Sequence, residues 1–188
     1  MLARMKTFLL TSHAITLVPA AIGHADALAR LVRQNIAHLH AYLPAVAKVA
    51  SLDEARNYLE AATEWAREGD VLEWYLFSGD ALCGSIRVKE IDQQDRKAKI
   101  GYFLGSEYQG QGFMTASMRV ILDYCFNTLD LNRMQLHCAS TNAPSKAVAM
   151  RLGFTLEGTL RQDEWLHGAF VDQHVYGLLR SEFNAAPA

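Results

Sequence analysis

A chain of 188 residues that is 51% hydrophobic and 20% charged is long enough for one domain with a substantial core, and its composition is that of a folded protein. The net charge of -2 and the pI near 6.4 provide no general basic field, which excludes nucleic acid held by bulk charge and requires any anion site to be local. No run approaches the roughly 20 apolar residues of a membrane span, and Phe8-Leu9-Leu10 is too short for a signal-peptide core. Cys83, Cys125 and Cys138 form no CxxC pair and no cluster with histidine. The expectation is a cytoplasmic protein with no membrane partner, no metal site and three free core thiols.

In chain order, a short strand around Ile15 to Val18 precedes two amphipathic helices. Leu28, Leu31, Val32, Asn35, Ile36 and Leu39 share one helical stripe, which predicts the first. The second opens on Ser51-Leu52-Asp53-Glu54, a capping box, carries Ala55, Tyr58, Leu59, Ala62 and Ala66 on its apolar face, and stops at Gly69-Asp70. The period then changes. Val71 to Phe77 is an apolar and aromatic strand, Ser78-Gly79-Asp80 is a hairpin turn, and Ala81 to Ile91 is the returning strand. Strand Ala98 to Leu104, helix Gly112 to Asn127, strand Met134 to Ala139, helix Ser145 to Leu152 and strands Phe154 to Trp165 and Phe170 to Leu179 complete a mixed α/β domain. A frayed tail is expected at Ala185-Ala186-Pro187-Ala188.

The segment richest in chemistry is Tyr102-Phe103-Leu104 followed by Gly105 to Thr115, where a strand meets a glycine-spaced turn and then a helix. Glycines allow close approach of backbone to an anion, and first-turn N–H groups lack intrahelical partners and lie at the positive end of the helix dipole. Such a turn suits a pyrophosphate, although an isolated GxG is also an ordinary tight connection. No Gly-Lys-Ser/Thr follows and the third glycine of a dinucleotide fingerprint is missing, which disfavours nucleoside triphosphatases and nicotinamide enzymes.

Gln109-Gly110-Gln111-Gly112-Phe113-Met114 resembles the Gln/Arg-x-x-Gly-x-Gly/Ala signature of the GCN5-related N-acetyltransferases (GNAT), and the bulky Met114 at its end is similar to the branch that modifies ribosomal protein N-termini. The resemblance implies an α/β (α+β) GNAT fold with a mixed, partly antiparallel sheet of about seven strands flanked by about four helices. It also implies acetyl-CoA as co-substrate, with its pyrophosphate on Gln109 to Met114, Thr115 as a phosphate-binding hydroxyl and the backbone of Tyr102, Phe103 and Leu104 along the pantetheine arm. On the same ground residues 1–188 form a single domain, with acceptor-side helices over about 1–70 and the acetyl-CoA-binding core over about 71–180.

Asn142-Ala143-Pro144-Ser145 to Leu152-Gly153-Phe154 resembles the family's Asn-led helix ending in Leu-Gly-Phe. Asn142 is a good N-cap on structural grounds alone, and the resemblance adds a pantetheine contact. The family often has a tyrosine four residues before that glycine to protonate the departing thiolate, but Ala149 stands there. Ser145, one turn earlier on the same face, can hydrogen-bond the sulfur or relay a proton, or can merely start the helix. The ribosomal-protein branch resembles this arrangement.

Strand alternation sends Leu156, Leu160 and Glu164 to one side, expected to be the core, so that Glu164 ends where the buried face meets a cleft. There it can take a proton from an attacking amine. The Glu157 to Glu164 run resembles that of the ribosomal-protein branch, in which a matching glutamate is the base. His167 and His174 are weaker candidates by pKa alone. Tyr42 resembles an aromatic position of that branch on the acceptor side. The acceptor implied first is the α-amine of a ribosomal protein. A small amine such as an antibiotic, polyamine or aminoacyl-nucleotide toxin comes second, and a coenzyme A sensor without catalysis third. Homodimers are frequent among the enzymes it resembles, and no interface signature stands out here.

Overall fold

The computed structural model describes residues 5–185. Strands β1 (Phe8–Leu10), β2 (Ile15–Pro19), β3 (Val71–Ser78), β4 (Ala81–Asp92), β5 (Lys97–Leu104), β6 (Arg133–Ala139), β7 (Thr155–Leu166) and β8 (Ala169–Leu179) form one mixed sheet. Its order is β1-β2-β3-β4-β5-β6-β8-β7. Among the described residues only β5 and β6 run parallel. The helices are α1 (Ala25–Gln34), α2 (Ile36–His40), α3 (Pro44–Ala47), α4 (Leu52–Glu68), α5 (Phe113–Asp123), α6 (Ala143–Arg151) and α7 (Arg180–Ala185).

Alternation along the central strands divides the core between the two faces of the sheet. Trp74, Ile86, Ile100 and Met134 pack beneath α5 and α6 with Met118, Ile121 and Ala149, whereas Tyr75, Leu82 and Phe103 pack beneath α1 and α4 with Leu28, Val32 and Leu59. Helix α4 begins and ends as its sequence dictates: Ser51 Oγ accepts from the Glu54 N–H, Glu54 reciprocates, and Gly69 closes the helix in the left-handed region at φ 88°. The three cysteines are buried and free. Among the described residues no helix is long and apolar enough to cross a membrane, and no cluster of His, Cys, Asp and Glu could hold a metal ion.

Several expectations require correction. The sheet has eight strands rather than seven, because Phe8–Leu10 pairs antiparallel with β2. The four long helical stretches become seven helices among the described residues, and the first predicted stripe breaks at Asn35, between α1 and α2. Asn35 is only 3% exposed. Its Oδ1 accepts from the Ser106 N–H (2.8 Å) and hydroxyl (2.9 Å), and its amide donates to the Leu31 carbonyl (3.1 Å). A polar side chain at a buried helical position has been used to tie α1 to the turn after β5, and the helix yields there. The helix predicted through Asn127 is α-helical only to Asp123 and ends in a π turn over Tyr124–Thr128. Of the expected frayed tail, residues 186–188 lie outside the described residues.

Candidate active site

Strands β5 and β6 pair over only three positions, Lys97 with Arg133, Ala98 with Met134 and Lys99 with Gln135, and then part. Beyond that point the facing edges, Gly101 to Leu104 and Leu136 to Ala139, flank a gap in the middle of the sheet. Backbone groups released from a ladder must find partners elsewhere, so an extended ligand with amide groups fits such a gap. A cavity of about 1290 Å³ runs through it and is lined by Tyr102, Phe103 and Leu104 on one edge and Leu136, Cys138 and Ala139 on the other.

At the far end of β5 the chain turns through Ser106–Tyr108 and the two glycines into α5. Gly110 and Gly112 adopt φ of 75° and 79°, a region closed to most side chains, and Gly112 caps α5. The first-turn N–H groups of α5 therefore open onto the cavity, with Gly110, Gly112, Phe113, Met114 and Thr115 in its wall. Met114 is buried in the core, so its bulk, which departs from the small residue of the signature, does not obstruct the turn. Gln109 also lines the cavity and meets His38 Nε2 at 2.9 Å. Gln111 is the exception among the expected cofactor residues: its amide folds back onto the Glu107 carbonyl at 2.9 Å and it does not line the cavity.

Asn142 caps α6 by accepting from the Ser145 N–H at 3.1 Å, and Pro144 occupies the first turn. Ser145 is thereby aimed at the gap from the α5/α6 face. Its hydroxyl accepts from the Tyr102 hydroxyl at 3.1 Å. Burial pushes the Tyr102 phenol up to about 12, with the Ser145 hydrogen bond acting against it, so the phenol is a proton donor throughout the neutral range. Burial likewise pushes the Cys138 thiol up, opposed by the Ser145 hydroxyl beside it.

Glu164 lines the same cavity from the opposite face. It pairs with Val171 across the β7–β8 hairpin, and its Oε2 accepts from Gln173 Nε2 at 2.6 Å. Gln173 in turn stands opposite Ala139 on β6. The route by which Glu164 arrives is not the predicted one. Register shifts at Leu156/Gly158 and Leu160/Glu164 break the alternation, and Leu156 and Leu160, expected in the core, are 49% and 42% exposed. The bulge after Leu160, with Gln162 at φ 54°, turns Glu164 toward the cleft.

Tyr42 lines the cavity and donates to the Thr141 carbonyl at 3.1 Å, while His167 Nε2 meets the Ala41 carbonyl at 3.1 Å. The α2–α3 connection thus spans from the β6–α6 loop to the β7–β8 turn. His167 and His174 do not line the cavity. The sequence reading missed the side chains of Tyr102 and Gln173, and no motif marked either of them.

Residues 14–155 match the model of the acetyltransferase (GNAT) domain. The chain belongs to the GNAT acetyltransferase family. YdaF of Bacillus subtilis (strain 168), provisionally named a ribosomal N-acetyltransferase, is 35% identical over 162 residues, 85% of this chain and 87% of that one. The ribosomal-protein-serine acetyltransferase of Escherichia coli (strain K12) is 29% identical over 88% of this chain and 92% of its own. Among solved structures, RimL, a ribosomal L7/L12 α-N-protein acetyltransferase in complex with coenzyme A, superimposes with a TM-score of 0.87 at 29% identity, covering 93% of this chain and 98% of that one. The microcin C7 self-immunity acetyltransferase MccE, in complex with acetyl-CoA and AMP, gives a TM-score of 0.83 at 29% identity, covering 88% and 92%. Within this GNAT enzyme, then, the gap, the glycine turn and the Ser145 and Glu164 side chains occupy one continuous cavity.

Proposed function

We propose that the chain moves the acetyl group of acetyl-CoA onto the N-terminal α-amine of a ribosomal protein, by direct attack while both substrates are bound. The observation that carries this reading is that Ser145 and Glu164 approach one cavity from opposite faces of the sheet, at the gap between β5 and β6. One face can present the thioester and the other the amine. The turn from Gly110 to Thr115 suits the cofactor pyrophosphate, and the released edges of β5 and β6 suit the amides of the pantetheine arm.

Glu164 accepts the proton of the incoming ammonium, directly or through water, and Gln173 fixes the carboxylate while leaving its other oxygen free. The nitrogen lone pair then forms a bond to the acetyl carbon, the nitrogen sheds its second proton to solvent, and the carbon–sulfur bond breaks with its electron pair leaving on the coenzyme A sulfur. The Ser145 hydroxyl meets the charge that grows on sulfur, by hydrogen bond or proton donation, and Tyr102 supports it by donating to its oxygen. No covalent acyl-enzyme is needed, since the thioester and the amine can reach each other in one cavity from its two sides.

The relatives named for ribosomal proteins support this acceptor, and a ribosomal protein as acceptor is consistent with a cytoplasmic reaction. A second reading keeps the chemistry and exchanges the acceptor for a small amine, and the likeness to the microcin self-immunity enzyme favours it. Incubation with isotopically labelled acetyl-CoA, purified ribosomal proteins and a panel of small amines, followed by mass spectrometry, separates the two. Label on the N-terminal residue of a ribosomal protein is expected; label confined to small amines would replace the first reading by the second.

A further inference from the structure

On β6 the face that bears Ala139, beside Gln173 and Glu164, also bears His137 and Gln135. Gln135 stands beside Lys99 at the closed end of the gap, and Lys99 stands directly opposite Lys89 on β4. Both lysines, with His137, Asp163 and Glu164, line the cavity. Two like charges set opposite each other in a ladder are unfavourable. Glu90 relieves one of them, with an oxygen 2.6 Å from Lys99 Nζ, but Lys89 has no ion pair among the described residues. His137 Nε2, midway along, is buried without a hydrogen-bond partner. Burial and then Lys99 hold His137 below the ordinary histidine value, so it meets a ligand as a neutral ring.

The acceptor side is therefore bipolar. Asp163 and Glu164 make one end negative, and Lys89 and Lys99 make the other positive. Four residues of β6 separate the two ends, roughly 13 Å at about 3.3 Å per residue. The lysines are too far from the glycine turn to serve the cofactor phosphates, because Leu104 lies five residue steps along β5 from Lys99, roughly 17 Å.

On the reading that the acceptor is a protein N-terminus, we propose that this enzyme selects extended N-terminal peptides that carry an acidic side chain at about the third to fifth residue. The α-amine sits at Glu164, the acidic side chain reaches Lys89 and Lys99, and the His137 ring lines the stretch between them. Charge complementarity at both ends fixes direction and register.

The test uses a set of short peptides with a common N-terminal residue and aspartate, asparagine or lysine at the fourth position, together with a small diamine, assayed on the wild type and on Lys89→Ala and Lys89→Glu. The wild type should favour the aspartate peptide over the asparagine peptide by about fivefold in kcat/KM, the size of one well-placed ion pair at a partly exposed site. Lys89→Ala should abolish that preference, and Lys89→Glu should invert it toward the lysine peptide. Coenzyme A binding measured by calorimetry checks that each variant is folded. Peptides acetylated with no dependence on the fourth residue, or a ranking unchanged in Lys89→Glu, would overturn the proposal while leaving peptide acetylation intact. Acetylation of the diamine alone would overturn both.

Discussion

The hydroxyl of Tyr102, from strand β5, donates to the Ser145 hydroxyl on helix α6 at 3.1 Å, and this bond spans the gap where the sheet opens. The side chain at the usual tyrosine position of α6 is Ala149, which is fully buried in the core. A phenol is thus present in the cavity, but it comes from a different element and is hydrogen-bonded to Ser145.

Ser145→Ala should lower kcat by about 10²-fold with little change in acetyl-CoA affinity, since the hydroxyl acts on charge that develops only in the transition state. Tyr102→Phe should lower kcat by about 3- to 10-fold, the worth of one supporting hydrogen bond. Because Tyr102 acts through Ser145, the double variant should be no slower than Ser145→Ala. Steady-state kinetics of the three variants decide this, and multiplicative losses would make the two roles independent.

Gly112→Val places a branched side chain at φ 79°, where its Cβ would lie 3.3 Å from His13 Nε2. The left-handed conformation costs a branched residue about 1–2 kcal/mol or more, so the turn should shift and coenzyme A affinity should fall about tenfold or more. Calorimetry measures the loss, and circular dichroism should stay native. Unchanged affinity would remove the turn from the cofactor site.

Much of the cofactor half was legible because local chemistry dictates it: Gly110, Gly112, Asn142 and Pro144 each do what a turn or a helix start demands. The acceptor half was not. Glu164 was named from a resemblance and an alternation argument and does line the cavity, yet the alternation fails at two register shifts, and a bulge is invisible to a period of two. Gln173 holds Glu164 across a hairpin, and Tyr102 reaches Ser145 across the gap. Both contacts are tertiary, with no local pattern to announce them. Asn35 was read as part of an apolar stripe, and its buried hydrogen bonds to the Ser106 turn became apparent only in three dimensions.

Asn35→Leu should therefore destabilise the protein by about 1–3 kcal/mol in denaturant unfolding, because the part-buried Ser106 N–H and the buried Leu31 carbonyl lose a partner. It should also raise the KM for acetyl-CoA, since the Ser106 turn leads into the glycines. A variant as stable as the wild type would show that water or relaxation satisfies those groups.

Glu73 is 3% exposed, with its oxygens accepting from Tyr58 (2.6 Å) and Ser85 (2.9 Å). Burial outweighs these bonds and raises its carboxyl above the ordinary carboxylate value. A raised folded pKa means that the native state holds the proton more tightly than the unfolded chain, so this contribution to stability is present below about pH 4.5 and is lost as pH rises through the folded value. Glu73→Gln, neutral at every pH, should flatten the fall in Tm between mildly acidic and neutral pH. The same slope in both proteins would assign it to other groups.

The central claim is acetyl transfer by direct attack, with Glu164 taking the amine proton from the face opposite Ser145. An amine is mostly protonated at neutral pH, and a positioned general base contributes about 10²- to 10⁴-fold to the rate. Glu164→Gln preserves shape and removes the base. The decisive measurement is a pair of pH–rate profiles, wild type and Glu164→Gln, on one acceptor. The account predicts a loss of kcat in that range at neutral pH, unchanged acetyl-CoA affinity and partial recovery as rising pH supplies free amine from solution. Two profiles that share the same basic limb and differ by less than about threefold, below the reach of a general base, would contradict it.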